Sequence, residues 1–258
     1  MIQLENVTKQ YAPGRKQPTT SSSAVDDISL TCQPGRVFSL LGPNGAGKTT
    51  TLRMIATILQ PTSGRISVAG YDTVRQSAQV RSQIGFLTGS THLYDRLTPA
   101  ETVRYFGRLH GLDRPTIAQR QEQLFDQLGI HAFASKRVGQ LSTGMKQKVS
   151  IARTMIHDPA VVIFDEPTSG LDVITAHNII ELIRECRQAG KTVIFSSHIM
   201  SEVDLLCDDL AIVNQGKLIY QDTMSHFRQQ AGSSLTEGFI RIVQDDNFQS
   251  QPTNPQAV

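Results

Sequence analysis

The stretch Gly42-Pro43-Asn44-Gly45-Ala46-Gly47-Lys48-Thr49-Thr50 constrains this chain more than any other. It has the form G-x-x-x-x-G-K-[ST]. The apolar run Val37-Phe38-Ser39-Leu40-Leu41 precedes it and reads as a buried strand. Thr50-Thr51-Leu52-Arg53-Met54-Ile55-Ala56 follows and reads as the start of a helix. Strand, glycine-rich loop and helix together are the context that a phosphate-binding loop needs. Glycines let the backbone curl until successive N–H groups face one anion. The helix N-terminus adds unpaired donors and the positive end of a dipole. Gly42, Pro43, Asn44, Gly45, Ala46, Gly47, Lys48, Thr49 and Thr50 are therefore candidate nucleotide-binding residues. Lys48 can reach the β- and γ-phosphates, and the Thr49 hydroxyl can hold Mg²⁺. The bland alternative is a tight turn feeding a helix; the flanking pattern argues against it.

Around this loop, strand and helix patterns alternate. Residues 1–8, 25–32, 65–70, 84–87, 160–164 and 192–195 read as strands, and 210–213 with 217–220 as a hairpin around Asn214-Gln215-Gly216. Residues 74–83, 99–111, 113–129, 173–188 and 200–207 read as helices, another begins at 141–144, and 235–243 is a last short element. Thr98-Pro99-Ala100-Glu101 is a strong helix start: a cap, a first-turn proline and a capping-box glutamate. The continuous apolar run Ala160-Val161-Val162-Ile163-Phe164 suits a parallel strand covered on both faces. The predicted fold class is α/β, a P-loop NTPase core with an antiparallel β edge and an inserted helical subdomain. The expected core is 1–88 and 159–225, with the helical part at 89–158. A short extension, 226–258, is expected to be disordered from about 244, and 12–23 reads as a loop.

Phe164-Asp165-Glu166-Pro167 closes that apolar strand. Carboxylates there emerge at the carboxyl edge of the sheet, where α/β folds bind ligands. Asp165 would hold Mg²⁺ through water, and Glu166 would orient or deprotonate an attacking water. Two adjacent carboxylates after five apolar residues are costly to place without a cation.

Composition narrows the setting. Net charge is +2 with no long basic run, so nucleic acid is not an expected partner. The three cysteines, Cys32, Cys186 and Cys207, are widely spaced without C-x-x-C, which points to a reducing cytosol rather than disulfides or structural zinc. No stretch of 18 apolar residues exists, and no signal-peptide pattern opens the chain. Any membrane part of the machine is expected in another chain.

Leu141-Ser142-Thr143-Gly144-Met145-Lys146-Gln147 resembles the signature motif of ATP-binding cassette (ABC) ATPases, usually L-S-G-G-Q. Ser169-Gly170-Leu171-Asp172 resembles the D-loop of that family, His198 its switch histidine, and Tyr11 the aromatic that stacks on adenine. The likeness covers about residues 2–222. The variant signature, with Ile84-Gly85-Phe86-Leu87-Thr88-Gly89 and Leu93-Tyr94-Asp95-Arg96-Leu97-Thr98, resembles the sodium-export ATPases and their relatives among the type-2 ABC exporters. The resemblance implies ATP and Mg²⁺ as cofactors and two ATPase domains, a homodimer or a heterodimer, packed head to tail. Each ATP would lie between the phosphate loop of one domain and Ser142, Thr143, Gly144 and Met145 of the other. Glu166 would be the general base, and His198 would contact the γ-phosphate beside Lys48. Thr49 and Asp165 would hold the metal, and Asp172 would communicate across the dimer. A membrane-spanning permease would be the other partner, with this chain peripheral on the cytoplasmic face of the membrane. Export of sodium is implied, with drugs, antibiotics, lipids or polysaccharides as alternatives.

The chain departs from the family in three places. Gly89 stands where a glutamine is usual, so the metal-sensing link through that side chain is missing; Thr88, Ser90 and Thr91 offer only hydroxyls. Thr143 replaces the first signature glycine. The stretch after Tyr11 lengthens the loop near the adenine. Taken singly, His198 reads as a surface histidine and Asp172 as a helix cap. Leu93, Tyr94 and Leu97 are candidate contacts for a partner helix or simply packing under their loop. A non-transport ABC clamp on DNA or ribosomes would need a long coiled-coil insertion or tandem cassettes, and neither is present. An unrelated phosphate-loop kinase would leave the signature and Asp165-Glu166 unexplained.

Overall fold

The computed structural model describes residues 1–11, 23–88 and 93–244. The loop expected at 12–23 lies almost wholly outside the described residues. So do Gly89, Ser90 and Thr91, and the tail from 245.

The chain opens with β1 (Ile2–Gln10), β2 (Ser23–Cys32) and β3 (Val37–Leu41). The phosphate loop follows, then α1 (Lys48–Ile55), β4 (Ser63–Val68), β5 (Tyr71–Asp72), α2 (Ser77–Gln83) and β6 (Ile84–Thr88). Three helices come next: α3 (Pro99–Leu109), α4 (Arg114–Leu128) and α5 (Thr143–Met155). The α/β pattern resumes with β7 (Val161–Asp165), α6 (Val173–Gln188), β8 (Thr192–Ser197) and α7 (Met200–Leu206). It ends with β9 (Asp209–Asn214), β10 (Lys217–Thr223), α8 (Met224–Ala231) and α9 (Leu235–Gln244).

The strands form two sheets. One is antiparallel, in the order β2-β1-β4-β5. The other runs β10-β9-β3-β8-β7-β6 and is parallel except for the β9–β10 hairpin. Strand side chains alternate between faces, and in the parallel sheet both faces are buried. Phe38, Leu40, Ile163, Ile194 and Ala211 join a core with α1 and the antiparallel sheet. Val37, Leu41, Phe164, Val193, Phe195 and Ile212 join the core built with the other helices. A fully buried side chain of this size contributes about 1.5–3 kcal/mol relative to exposure. A one-residue slip of a strand would exchange the two sets and misfit both cores. The register is thereby fixed, and it sets Asp165 opposite Thr88 on one side and Ser196 on the other.

Most elements lie where the sequence pattern predicts them. α3 has its full capping box: the Thr98 N–H donates to Glu101 Oε2 at 2.9 Å, and the Glu101 N–H to Thr98 Oγ1 at 3.2 Å. Four readings change. α1 starts at Lys48, two residues before the predicted Thr50. The helix expected over 74–83 begins only at Ser77, because Asp72 Oδ1 accepts the N–H groups of Val74 and Arg75 at 2.9 Å each and holds that stretch as a turn. β5 and α8 were not predicted; β5 is two residues long, and α8 is short and polar on its outer side.

Candidate active site

Two glycines shape the phosphate loop. A Cβ on Gly42 would sit 2.2 Å from the carbonyl oxygen of Val213, so β9 passes against the loop too closely for any side chain. Gly47 has φ = +103°, and a Cβ there would lie 2.5 Å from the Ala24 carbonyl. The hairpin turn holds the loop from outside: the Gly216 N–H donates to Ala46 O at 3.0 Å, and the Asp26 N–H to Gly216 O at 2.7 Å. No side chain caps the N-terminus of α1 and its first turn carries no acidic residue. Its donors and the dipole therefore face the loop unneutralised.

Lys48 is buried, with Nζ donating to Gly42 O (2.7 Å) and Pro43 O (3.0 Å). It lies 3.8 Å from Glu166 Oε1. Burial lowers the pKa of this ammonium, and the carboxylates of Glu166 and Asp165 oppose that shift. The Thr49 hydroxyl donates to Asp165 Oδ1 at 2.9 Å. That same oxygen accepts the Ser196 hydroxyl at 2.8 Å, and Ser196 Oγ accepts the Glu166 N–H at 2.9 Å. Ser196, fully buried at the end of β8, thus ties both carboxylate residues to one point. Sequence reading missed it; its one signal is a polar residue ending an apolar strand two positions before His198.

Glu166 has φ = +47°, an unusual backbone state for a residue with a side chain. The turn aims its carboxylate between Lys48 Nζ and His198 Nδ1, the latter 3.5 Å away. Asn44 to Thr50, Arg53, Thr88, Asp165, Glu166 and Ser169 line a cleft of about 470 Å³. The oxygen donors of Thr49 and Asp165 are hard ligands of the kind Mg²⁺ takes.

Other predicted site residues lie elsewhere. Tyr11 is exposed, its ring centroid 5.6 Å from Lys9 Nζ. Ser142 caps α5, its Oγ accepting the Met145 N–H at 3.3 Å. Capping uses a lone pair and leaves the hydroxyl proton to donate. Thr143 is the first residue of α5 and exposed, and Gly144 follows. None of Tyr11, Ser142, Thr143, Gly144, Met145 and Asp172 is in the lining of the cleft. Asp172 is indeed a helix cap, Oδ1 accepting the Ile174 and Thr175 N–H groups and Oδ2 the Thr175 hydroxyl.

A family model described as ABC transporter matches residues 25–169, which span the loop, the signature and the Asp165-Glu166 pair. The chain belongs to the ABC transporter family. It is 46% identical over 225 residues to the ABC transporter ATP-binding protein NatA of Bacillus subtilis (strain 168), covering 87% of this chain and 90% of that one. It is 34% identical over 249 residues to the linearmycin resistance ATP-binding protein LnrL of the same organism, covering 93% and 78%. A solved dimeric ATP-binding cassette in a post-hydrolysis state, bound to ADP and Pi, superposes with a TM-score of 0.77 at 26% identity, covering 87% of this chain and 99% of that one. This ABC protein is thus an ATPase, the ATP-binding subunit of an ABC transporter, with the P-loop NTPase fold that the sequence predicts. Among its described residues no helix is long and apolar enough to cross a membrane.

Proposed function

We propose that the chain drives export through a separate membrane-spanning permease, working as a pair of cassettes on the cytoplasmic face. One observation carries the site assignment: Lys48, Thr49, Asp165 and Glu166 meet at a single cleft, with His198 at 3.5 Å from Glu166. In this reading Gly42 to Thr50 bind the nucleotide phosphates and Tyr11 stacks on the base. Thr49 and Asp165 would hold Mg²⁺, which when bound neutralises charge on the β- and γ-phosphates. Glu166 accepts the proton of the attacking water, and His198 steadies that water and the γ-phosphate. Lys48 gives up its contacts to Gly42 O and Pro43 O for the phosphates.

Ser142, Thr143, Gly144 and Met145 lie outside the cleft lining, which supports their serving the nucleotide of a second cassette. The Asp172 loop would report on that contact. Residues 1–88 and 159–225 act as the nucleotide-binding core, 89–158 as the helical subdomain, and 226–258 as an extension. Tyr94, 60% exposed and edge-on to Tyr105 at 6.4 Å, is offered as the permease contact together with the half-buried Leu97. Sodium is the proposed cargo, on the resemblance of the variant signature.

The test uses Glu166→Gln protein with Mg-ATP. It should bind ATP, turn it over very slowly and sediment as a dimer; a persistent monomer at saturating nucleotide counts against the paired-cassette reading. Capture of a polytopic membrane protein on the same variant, then a sodium-flux assay of the pair in vesicles, examines the cargo. Flux of an antibiotic but not of sodium would replace sodium in the proposal.

A further inference from the structure

Two loops carry the groups at the reacting end of the cleft. One runs from Glu166 to Asp172; the other follows β8 and bears His198. One carboxylate joins them. Glu202, in the first turn of α7, accepts the Thr168 hydroxyl on Oε1 and the Ser197 hydroxyl on Oε2, the latter at 3.0 Å. Thr168 lies two residues past Glu166 and is buried; Ser197 lies one before His198 and is buried. Ser197 Oγ also accepts the Ile199 N–H at 2.9 Å, which folds the backbone around His198. Glu202 itself is half-buried and does not line the cleft.

We infer that Glu202 is a positioning residue for ATP hydrolysis, holding Glu166 and His198 at their working separation by clamping both loops. The chemistry fits a carboxylate. Two hydroxyl donors approach, one from the Glu166–Asp172 loop and one from the last residue of β8, and an ionised carboxylate offers an acceptor oxygen to each. An amide offers one oxygen, so the second hydroxyl must turn round. Loss of the clamp leaves nucleotide binding alone, because Gly42 to Thr50 and Asp165 have their own supports in Gly216 and Ser196. It loosens the pair that must place a water, and small misplacements there are costly in rate.

This inference rests on Glu166 acting as base, so the experiment runs Glu166→Gln beside the clamp variants. ATP hydrolysis and fluorescent ATP-analogue binding are measured on the full chain. Glu202→Ala should lower kcat by about 10- to 100-fold with KM and nucleotide affinity nearly unchanged, and Glu202→Gln should lie between it and the parent. Thr168→Val should cost activity in the parent but little more in the Glu202→Ala background; Ser197→Ala should lose part of its cost there and keep the part due to the Ile199 N–H bond. Full activity in Glu202→Ala, or full additivity of those losses, overturns the clamp. If Glu202→Ala does not fold, Glu202→Gln decides: parental kcat in that variant overturns it. Parental turnover in Glu166→Gln overturns the base assignment instead, whatever the Glu202 variants do.

Discussion

Thr49 Oγ1 lies 2.9 Å from Asp165 Oδ1, although 116 positions separate the two residues in the chain. The bond joins the first turn of α1 to the last residue of β7, so it locks the phosphate loop to the carboxylate edge of the sheet. Asp165→Asn keeps the shape but loses the anion. Its fold should be retained, while Mg²⁺-dependent nucleotide affinity should fall about 10- to 100-fold. Titration of a fluorescent ATP analogue with and without Mg²⁺ measures this; equal loss in both series would place the role of Asp165 in packing.

Ser196→Ala removes the hydroxyl that donates to Asp165 and accepts from the Glu166 N–H. The site is fully buried, so no water replaces it. An orphaned buried polar group costs about 1–3 kcal/mol. Denaturant unfolding should show a loss of that order, with a fall in kcat as the Glu166 turn relaxes.

Gly144→Ala presses on α6 within its own chain, besides crowding the place proposed for a second cassette's nucleotide. A Cβ on Gly144 would lie 2.7 Å from Thr175 Oγ1, the hydroxyl that donates to Asp172 Oδ2. Thr175 must turn, and Asp172 loses a partner. Nucleotide binding by the single chain should stay at the parental level, and dimer-dependent turnover should drop about 10-fold. Comparing turnover across protein concentration separates the two; a loss already present in nucleotide binding contradicts the argument.

His157 predicts an acid sensitivity. Its Nε2–H donates to Ile84 O at 2.9 Å, its Nδ1 is buried without a partner among the described residues, and its ring stacks on His110 at 3.6 Å. Burial first, then the neighbouring His110, lowers its pKa to about 4. The folded pKa is below the unfolded one, so the unfolded chain takes up the proton first. Stability is complete above about pH 6.5 and declines as pH falls toward about 4, below which the decline saturates. His157→Gln, which keeps a donor and does not titrate, should flatten the melting temperature between pH 7 and 5.

What the sequence by itself determined is local. Gly42 to Thr50, the Thr98–Glu101 capping box and the apolar run before Asp165 each declare themselves within a few residues, because backbone curvature, capping and strand periodicity are short-range effects. Joined in order with Leu141 to Gln147, they were enough to point to the family. The bulkier decisions belong to tertiary structure. Asp72 cut α2 short through bonds within one turn, and the pairing of β5 with β4 holds that residue opposite Ser67. Ser196 had no motif to announce it; only the β7–β8 register, fixed by two cores drawing on opposite faces of the same strands, sets it beside Asp165. Glu202 meets Ser197 within five residues, but it meets Thr168 only because α6 and β8 return the chain to one edge of the sheet. A hydroxyl or carboxylate gains such a partner from packing, and packing is decided by contacts between residues that the linear sequence keeps far apart.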